Sequence, residues 1–250
     1  MSNPYPLEDE FGDIIKKARL GLALRPSQVA QQAAIDEEQL LQMEAYDLRP
    51  TQPQVQALAA ALQLSARKLQ AIADEQYVPP SVPTSFGDFR VHMLPGEPGE
   101  ANCYIIVDRQ RDLVGIVDPG VAARRIQGVL DTVRLPLAAI LVTHQHGDHT
   151  KSLDTFAAQA EDMSLDTTII PTPGHTEDST TFYFPGFVMV GDLMFAGSVG
   201  RARTEPGLYR THLQSLHRIL ALPDNTVIFP GHGPATTVAS EKRSNPFFLD

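Results

Sequence analysis

Apolar residues follow two different rhythms along this chain. In the first third they recur at helical spacing: Phe11, Ile14, Ile15, Ala18 and Leu22 mark one apolar face. Pro26 opens a second helix in its first turn. A third starts at Asp36, with Gln39 three residues on as a capping box and Leu40, Leu41 and Met43 as its apolar set. Val55, Leu58, Ala59 and Leu62, then Leu64 to Leu69, supply two more. Later the rhythm changes to short unbroken runs with branched residues, such as Ala138 to Val142, Phe187 to Val190 and Thr226 to Phe229, which read as buried strands. Leu153 to Glu161 and Thr211 to Leu222 read as helices among them, and Thr167 to Pro171 as a strand.

The change of rhythm implies two units. Residues 76–85 are polar and rich in proline, an extended and semi-rigid stretch. The expected division is a helical domain over 1–78, a linker over 79–88 and a second domain over 89–250. With 250 residues, 42% of them hydrophobic, the chain can bury two cores. No apolar run approaches the roughly 20 residues of a membrane helix, and the start lacks the basic-then-apolar profile of a signal peptide, so the expected location is the cytoplasm. The single cysteine, Cys103, sits in a predicted strand and reads as buried packing. A net charge of −10 argues against a nucleic acid as substrate.

Chemistry enters where the strands end. Thr143-His144-Gln145-His146-Gly147-Asp148-His149 places three imidazoles and a carboxylate directly after an apolar run. His144 and His146, two apart, can converge on one metal ion, while Asp148 and His149 point at a second position. His175, Asp192 and His232 repeat the context, each a Gly-flanked ligand type at the close of a predicted strand. His92, His212 and His217 lack it and read as exposed or satisfied by a partner.

The order of these segments, with Asn102-Cys103-Tyr104, Val117-Asp118-Pro119-Gly120, Phe195 to Arg201 and Glu241 to Phe247, resembles the metallo-β-lactamase superfamily and its type II glyoxalase and persulfide dioxygenase branch. The resemblance runs over roughly residues 87–250 and implies an α/β fold, an αββα sandwich of two mixed sheets with outer helices. It implies that His144, His146 and His175 hold one metal, that Asp148, His149 and His232 hold a second, and that Asp192 bridges them. Two divalent ions, zinc first and iron as the alternative, would then generate a hydroxide that attacks a carbonyl. Asp148 and Asp192 are the catalytic carboxylates of this reading. It gives a metal-dependent hydrolase of thioesters, glutathione-derived or of another small thiol. A mononuclear iron persulfide dioxygenase on His144, His175 and Asp192 is the alternative, and a metabolite- or metal-sensing transcriptional regulator is a third reading. The 26 residues from His149 to His175 (175 minus 149) are fewer than such relatives carry, which predicts a missing stretch of pocket wall. Arg201 and Arg203 are the candidates for meeting an anionic substrate.

The five helices over about 8–74 resemble the helix-turn-helix domains of the Cro and C1 repressor type. That implies DNA contacts from Gln28, Glu37, Glu38 and Gln42 at base edges and from Arg25, Arg49, Lys16, Lys17 and Arg19 at phosphates. The electrostatics oppose it. Residues 1–78 contain 7 Lys+Arg against 11 Asp+Glu, and the predicted recognition helix starts on Asp36-Glu37-Glu38. Homodimerisation, or docking of a protein, is the competing use of this unit.

Overall fold

The computed structural model describes residues 6–161, 163, 165–202 and 207–249. Five helices come first: α1 (Phe11–Gly21), α2 (Pro26–Ala33), α3 (Glu37–Glu44), α4 (Gln52–Leu62) and α5 (Ala66–Ala73). Helices α2 and α3 are joined by a three-residue turn in which Ala34 takes the left-handed conformation, φ 52°. The predicted capping box on α3 does not form. Asp36 makes no side-chain cap, and Gln39 instead accepts a bond from Gln54 Nε2 on α4 at 3.5 Å.

Two five-stranded sheets follow. The first is β1 (Ser85–Phe86), β2 (Phe89–Leu94), β3 (Cys103–Asp108), β4 (Leu113–Val117) and β5 (Leu137–Leu141) in sequential order, with α6 (Ala123–Val133) between its last two strands. Strand β1 lies inside the stretch read as linker, because Ser85 and Phe86 pair with Arg90 and Phe89 in a hairpin. The short helices α7 (Gly147–Thr150) and α8 (Leu153–Ala157) lead to β6 (Thr168–Pro171), β7 (Thr180–Phe184) and β8 (Phe187–Gly191). After the small hairpin of β9 (Met194–Phe195) and β10 (Ser198–Val199) come α9 (Leu208–Leu220), β11 (Val227–Pro230), β12 (Thr236–Thr237) and α10 (Val238–Ser244). The second sheet has the order β12-β11-β8-β7-β6. Each sheet is mixed, antiparallel except for one parallel pair, β4 with β5 and β8 with β11.

The sheets bury Phe89, Tyr104, Ile106 and Val117 of one against Phe184, Phe187, Met189 and Phe229 of the other. The outer face of the first sheet is covered by α6 and α8 through Ile126 and Phe156. The expectation of two separate cores needs correction at the other face. Val188, Val190, Leu193 and Ile228 continue without a break into Leu216 and Ile219 of α9 and then into Ile14, Ile15, Leu58 and Leu69 of the helical unit. Polar clasps close this seam: Lys68 Nζ donates to Lys242 O at 2.9 Å and Phe248 O at 2.6 Å, and Tyr77 Oη donates to Glu241 Oε1 at 2.9 Å. Burial of apolar surface at about 25 cal/mol per Å² drives such docking, while the clasps fix its register. Among the described residues no helix is long and apolar enough to cross a membrane.

Candidate metal centre

The topology gathers the candidate ligands before any side chain is considered. Strands β4 and β5 run parallel, as do β8 and β11, and β6 points the same way as β8 because two antiparallel steps separate them. All five therefore finish at one edge of the sandwich, where the next residues are Asp118, the His144 to His149 loop, His175, Asp192 and His232. Stiff strands thus carry mobile residue types to a common point.

The seven side chains converge there. His146 Nδ1 lies 3.0 Å from His144 Nε2 and 3.1 Å from His175 Nε2. On the far side, His232 Nε2 stands 3.2 Å from Asp148 Oδ2. Asp192 faces both groups: Oδ2 is 3.5 Å from His175 Nε2, while Oδ1 is 3.2 Å from His149 Nε2 and 3.7 Å from His232 Nε2. The ligand atoms of His144, His146 and His175 lie within 4.8 Å of one another, and so do those of Asp148, His149 and His232. Geometry and chemistry both fit cations here. Three imidazole nitrogens crowd together with lone pairs to place, and the buried atoms His149 Nε2 and Asp192 Oδ1 lack any hydrogen-bond partner among the described residues. A nitrogen-and-carboxylate donor set of this kind suits zinc or iron.

The remaining ring nitrogens are held from behind. His149 Nδ1 meets Asp118 Oδ2 at 2.9 Å, His175 Nδ1 meets Arg201 O at 2.9 Å, and His144 Nδ1 meets Thr143 Oγ1 at 3.2 Å. Asp118 also accepts from Thr143 N and Thr143 Oγ1, each at 2.7 Å, so one carboxylate orients two elements of the site. Sequence reasoning quoted Asp118 only as part of a resemblance and gave it no role. Its signal was available, since an acidic residue directly after a buried strand repeats the context of Asp192. Asn102 was likewise unassigned. It braces the His232 loop, accepting nothing there but donating from its backbone N to Gly231 O at 2.7 Å and from Nδ2 to Gly233 O at 2.9 Å. Gly231 itself is needed, because a Cβ there would overlap Asp192 Oδ1 and His149 Cε1.

The electrostatics separate the histidines. Burial, reinforced by the neighbouring His149, pushes His144 down to about 3. Burial also opposes a charge on His149, yet the hydrogen bond to Asp118 and the neighbouring carboxylate of Asp192 outweigh it and raise this imidazole to about 10. Asp192 is held well below the usual carboxylate range by His149 and the other imidazoles, against the opposing effect of its own burial.

The other predicted residues scatter. Arg203 lies outside the described residues. Arg201 borders the centre. His212 was expected to be exposed or paired; it is fully buried against Gly174, with neither ring nitrogen hydrogen-bonded among the described residues. His217 is exposed as expected, and Cys103 is buried. Of the DNA candidates, Glu37, Glu38 and Arg25 are exposed and Gln42 is half-buried. Gln28 spends its Oε1 on Arg25 N at 2.9 Å, and Arg49 is paired with Glu75. Arg19 is buried in a bidentate pair with Glu44, at 2.6 and 2.7 Å, and Lys16 and Lys17 line the cleft above the metal centre. Arg19 is thus spent on Glu44 and Lys17 on Asp9 and Val199 O, while Lys16 stays exposed.

Residues 96–163 match the family profile of the metallo-beta-lactamase superfamily. The chain is 30% identical over 202 residues to a probable metallo-hydrolase, YqgX, of Bacillus subtilis, covering 62% of this chain and 95% of that protein. It is 37% identical over 159 residues to a hydroxyacylglutathione hydrolase of Chromohalobacter salexigens, covering 52% of this chain and 61% of that one. Among solved structures, that of TTHA1623 in a di-iron-bound form superposes with a TM-score of 0.52 at 29% identity, covering 63% of this chain and all (100%) of that one. With the sandwich, the ligand-bearing edge and these likenesses together, the chain belongs to the metallo-β-lactamase superfamily.

Proposed function

We propose that the protein is a hydrolase of acyl-thiol esters, acting through a dinuclear centre in which His144, His146 and His175 hold one cation, Asp148, His149 and His232 the other, and Asp192 both. The observation that carries this reading is the orientation of Asp192, whose two oxygens face the two histidine groups separately. Two divalent cations, when bound, lower the pKa of water and polarise an ester carbonyl.

The chain's own residues supply the rest. Asp118 accepts a hydrogen bond from His149 Nδ1 and leaves Nε2 directed at Asp192. Arg201 O accepts in the same way from His175 Nδ1. The short α7 presents Asp148 and His149 in one turn, and the Asn102 brace keeps His232 opposite Asp148. Such pre-set donors cost no reorganisation when charge develops on the substrate. A thiolate, whose conjugate acid has a pKa of about 8.5, leaves without full protonation, so this ester class needs no dedicated proton donor. Similarity to a hydroxyacylglutathione hydrolase supports the same class. The five helices belong to the catalytic body in this reading, since their core is continuous with that of the sandwich.

The test is lactoylglutathione cleavage by zinc-loaded and iron-loaded protein, with and without oxygen. Release of free thiol that needs no oxygen is expected. Oxygen uptake by the iron-loaded protein with a glutathione persulfide, and no thioester cleavage by either form, would establish the dioxygenase reading instead.

A further inference from the structure

The cleft over the metal centre, about 340 Å³, has walls of separate origin. His175, Asp192 and His232 form its floor, and helix α1 lines it through Asp13, Lys16, Lys17 and Leu20. Lys17 is the clasp of this wall: its Nζ reaches Asp9 Oδ2 at 2.5 Å and Val199 O at 3.0 Å, and it lies 4.7 Å from the centre of the Phe195 ring. Lys16 differs. It is exposed, lines the cleft, and has no acidic partner within 4.0 Å among the described residues; the same holds for Arg201.

We propose that α1 is the specificity wall of this enzyme, with Lys16 and Arg201 taking the carboxylate of a substrate whose reacting end lies over Asp192. The proposal rests on the thioester reading for the reacting end and on the cleft alone for the rest. Two unpaired cations facing one volume match a carboxylate, which accepts several charge-assisted bonds at once. The size is at the low end of ligand pockets, which suits a small thiol and not a nucleotide-bearing carrier. Glu8 in the same cleft disfavours a multiply charged phosphate and leaves a place for an ammonium group. The unit that resembles a DNA-binding domain thereby contributes a substrate contact.

Binding of two thioethers, which have no scissile bond, tests this by calorimetry: S-hexylglutathione, with carboxylates and an ammonium, and uncharged S-hexyl-N-acetylcysteamine. Wild type should bind the first at least about tenfold tighter, and Lys16→Gln or Arg201→Gln should each reduce that ratio by about tenfold, the size of one charge-assisted contact. Lys16→Arg should restore it. An unchanged ratio in both variants, no preference in the wild type, or equal losses for both probes, the mark of a collapsed cleft, would each overturn the proposal. Thioester turnover is read separately, so a preserved preference without cleavage would refute the hydrolase reading and leave the wall standing.

Discussion

The floor and the wall of the cleft are built on opposite plans. The floor is redundant: seven ligand-type side chains on four strand ends, backed by Asp118, Thr143 and Arg201 O. The wall is one helix from the far end of the chain, joined to the floor by apolar packing and by Lys17. A floor of this kind fixes the reaction, and a wall of this kind can alter the substrate without touching the chemistry. Losses at the floor should therefore be large and shared by all substrates, whereas losses at the wall should be small and selective.

The largest effect is expected at the residue that joins the two ligand groups. Asp192→Ala should lower thioester turnover by more than the 10–100-fold that loss of a backing partner costs, and equally for charged and uncharged thiols. A loss confined to one substrate would transfer Asp192 to the wall. Asp118→Ala, one shell behind, should weaken metal affinity by about 10–100-fold, as read by competition with a chelator. If affinity is unchanged, the ring of His149 is oriented by something other than the bond seen here.

A third outcome concerns the seam. Since one core spans the helices and the sandwich, heating should unfold them in a single transition. Lys68→Ala, which strips donors from Lys242 O and Phe248 O, should lower stability by about 2 kcal/mol or more while keeping that single transition. Two resolved transitions in the wild type would make the helices a tethered domain, and the wall an accident of docking.

The smallest effect is a proton. In the metal-free fold His149 is raised from 6.5 to about 10 by Asp118 and Asp192, so at pH 8 it carries protons on both nitrogens. Loading metal should displace the Nε2 proton, about one per chain from this group, and the release should fade as the pH rises through 10. Indicator-dye titration checks it, and Asp118→Asn should shrink the release at pH 8. A release that does not depend on Asp118 would contradict this origin.

These two regions also differ in how far the sequence revealed them. The floor was legible because strand ends punctuate the chain: an apolar run, a glycine and a ligand type recur at His175, Asp192 and His232, and a local pattern suffices to find them. The backing residues were harder. Asp118 has the same context, but only its 2.9 Å bond to His149 distinguishes it from an ordinary turn aspartate. The wall left no local trace. Ile14, Ile15 and Ala18 form an apolar face that would look the same packed on sister helices alone, and the cationic Lys16-Lys17 pair suits a phosphate as well as a cleft. The boundary at residue 79 marked a change in pattern without a change in core, and the short strand at Ser85 was hidden in a proline-rich stretch.

If seven side chains hold two cations with Asp192 between them, the metal content of each chain follows from which of the seven are present. Protein loaded with zinc, desalted and analysed by mass spectrometry should carry two ions in the wild type. His144→Ala or His175→Ala should carry about one, and Asp192→Ala should bind both weakly enough to lose them on desalting. Two ions retained in all three variants would mean that these side chains do not hold the metal.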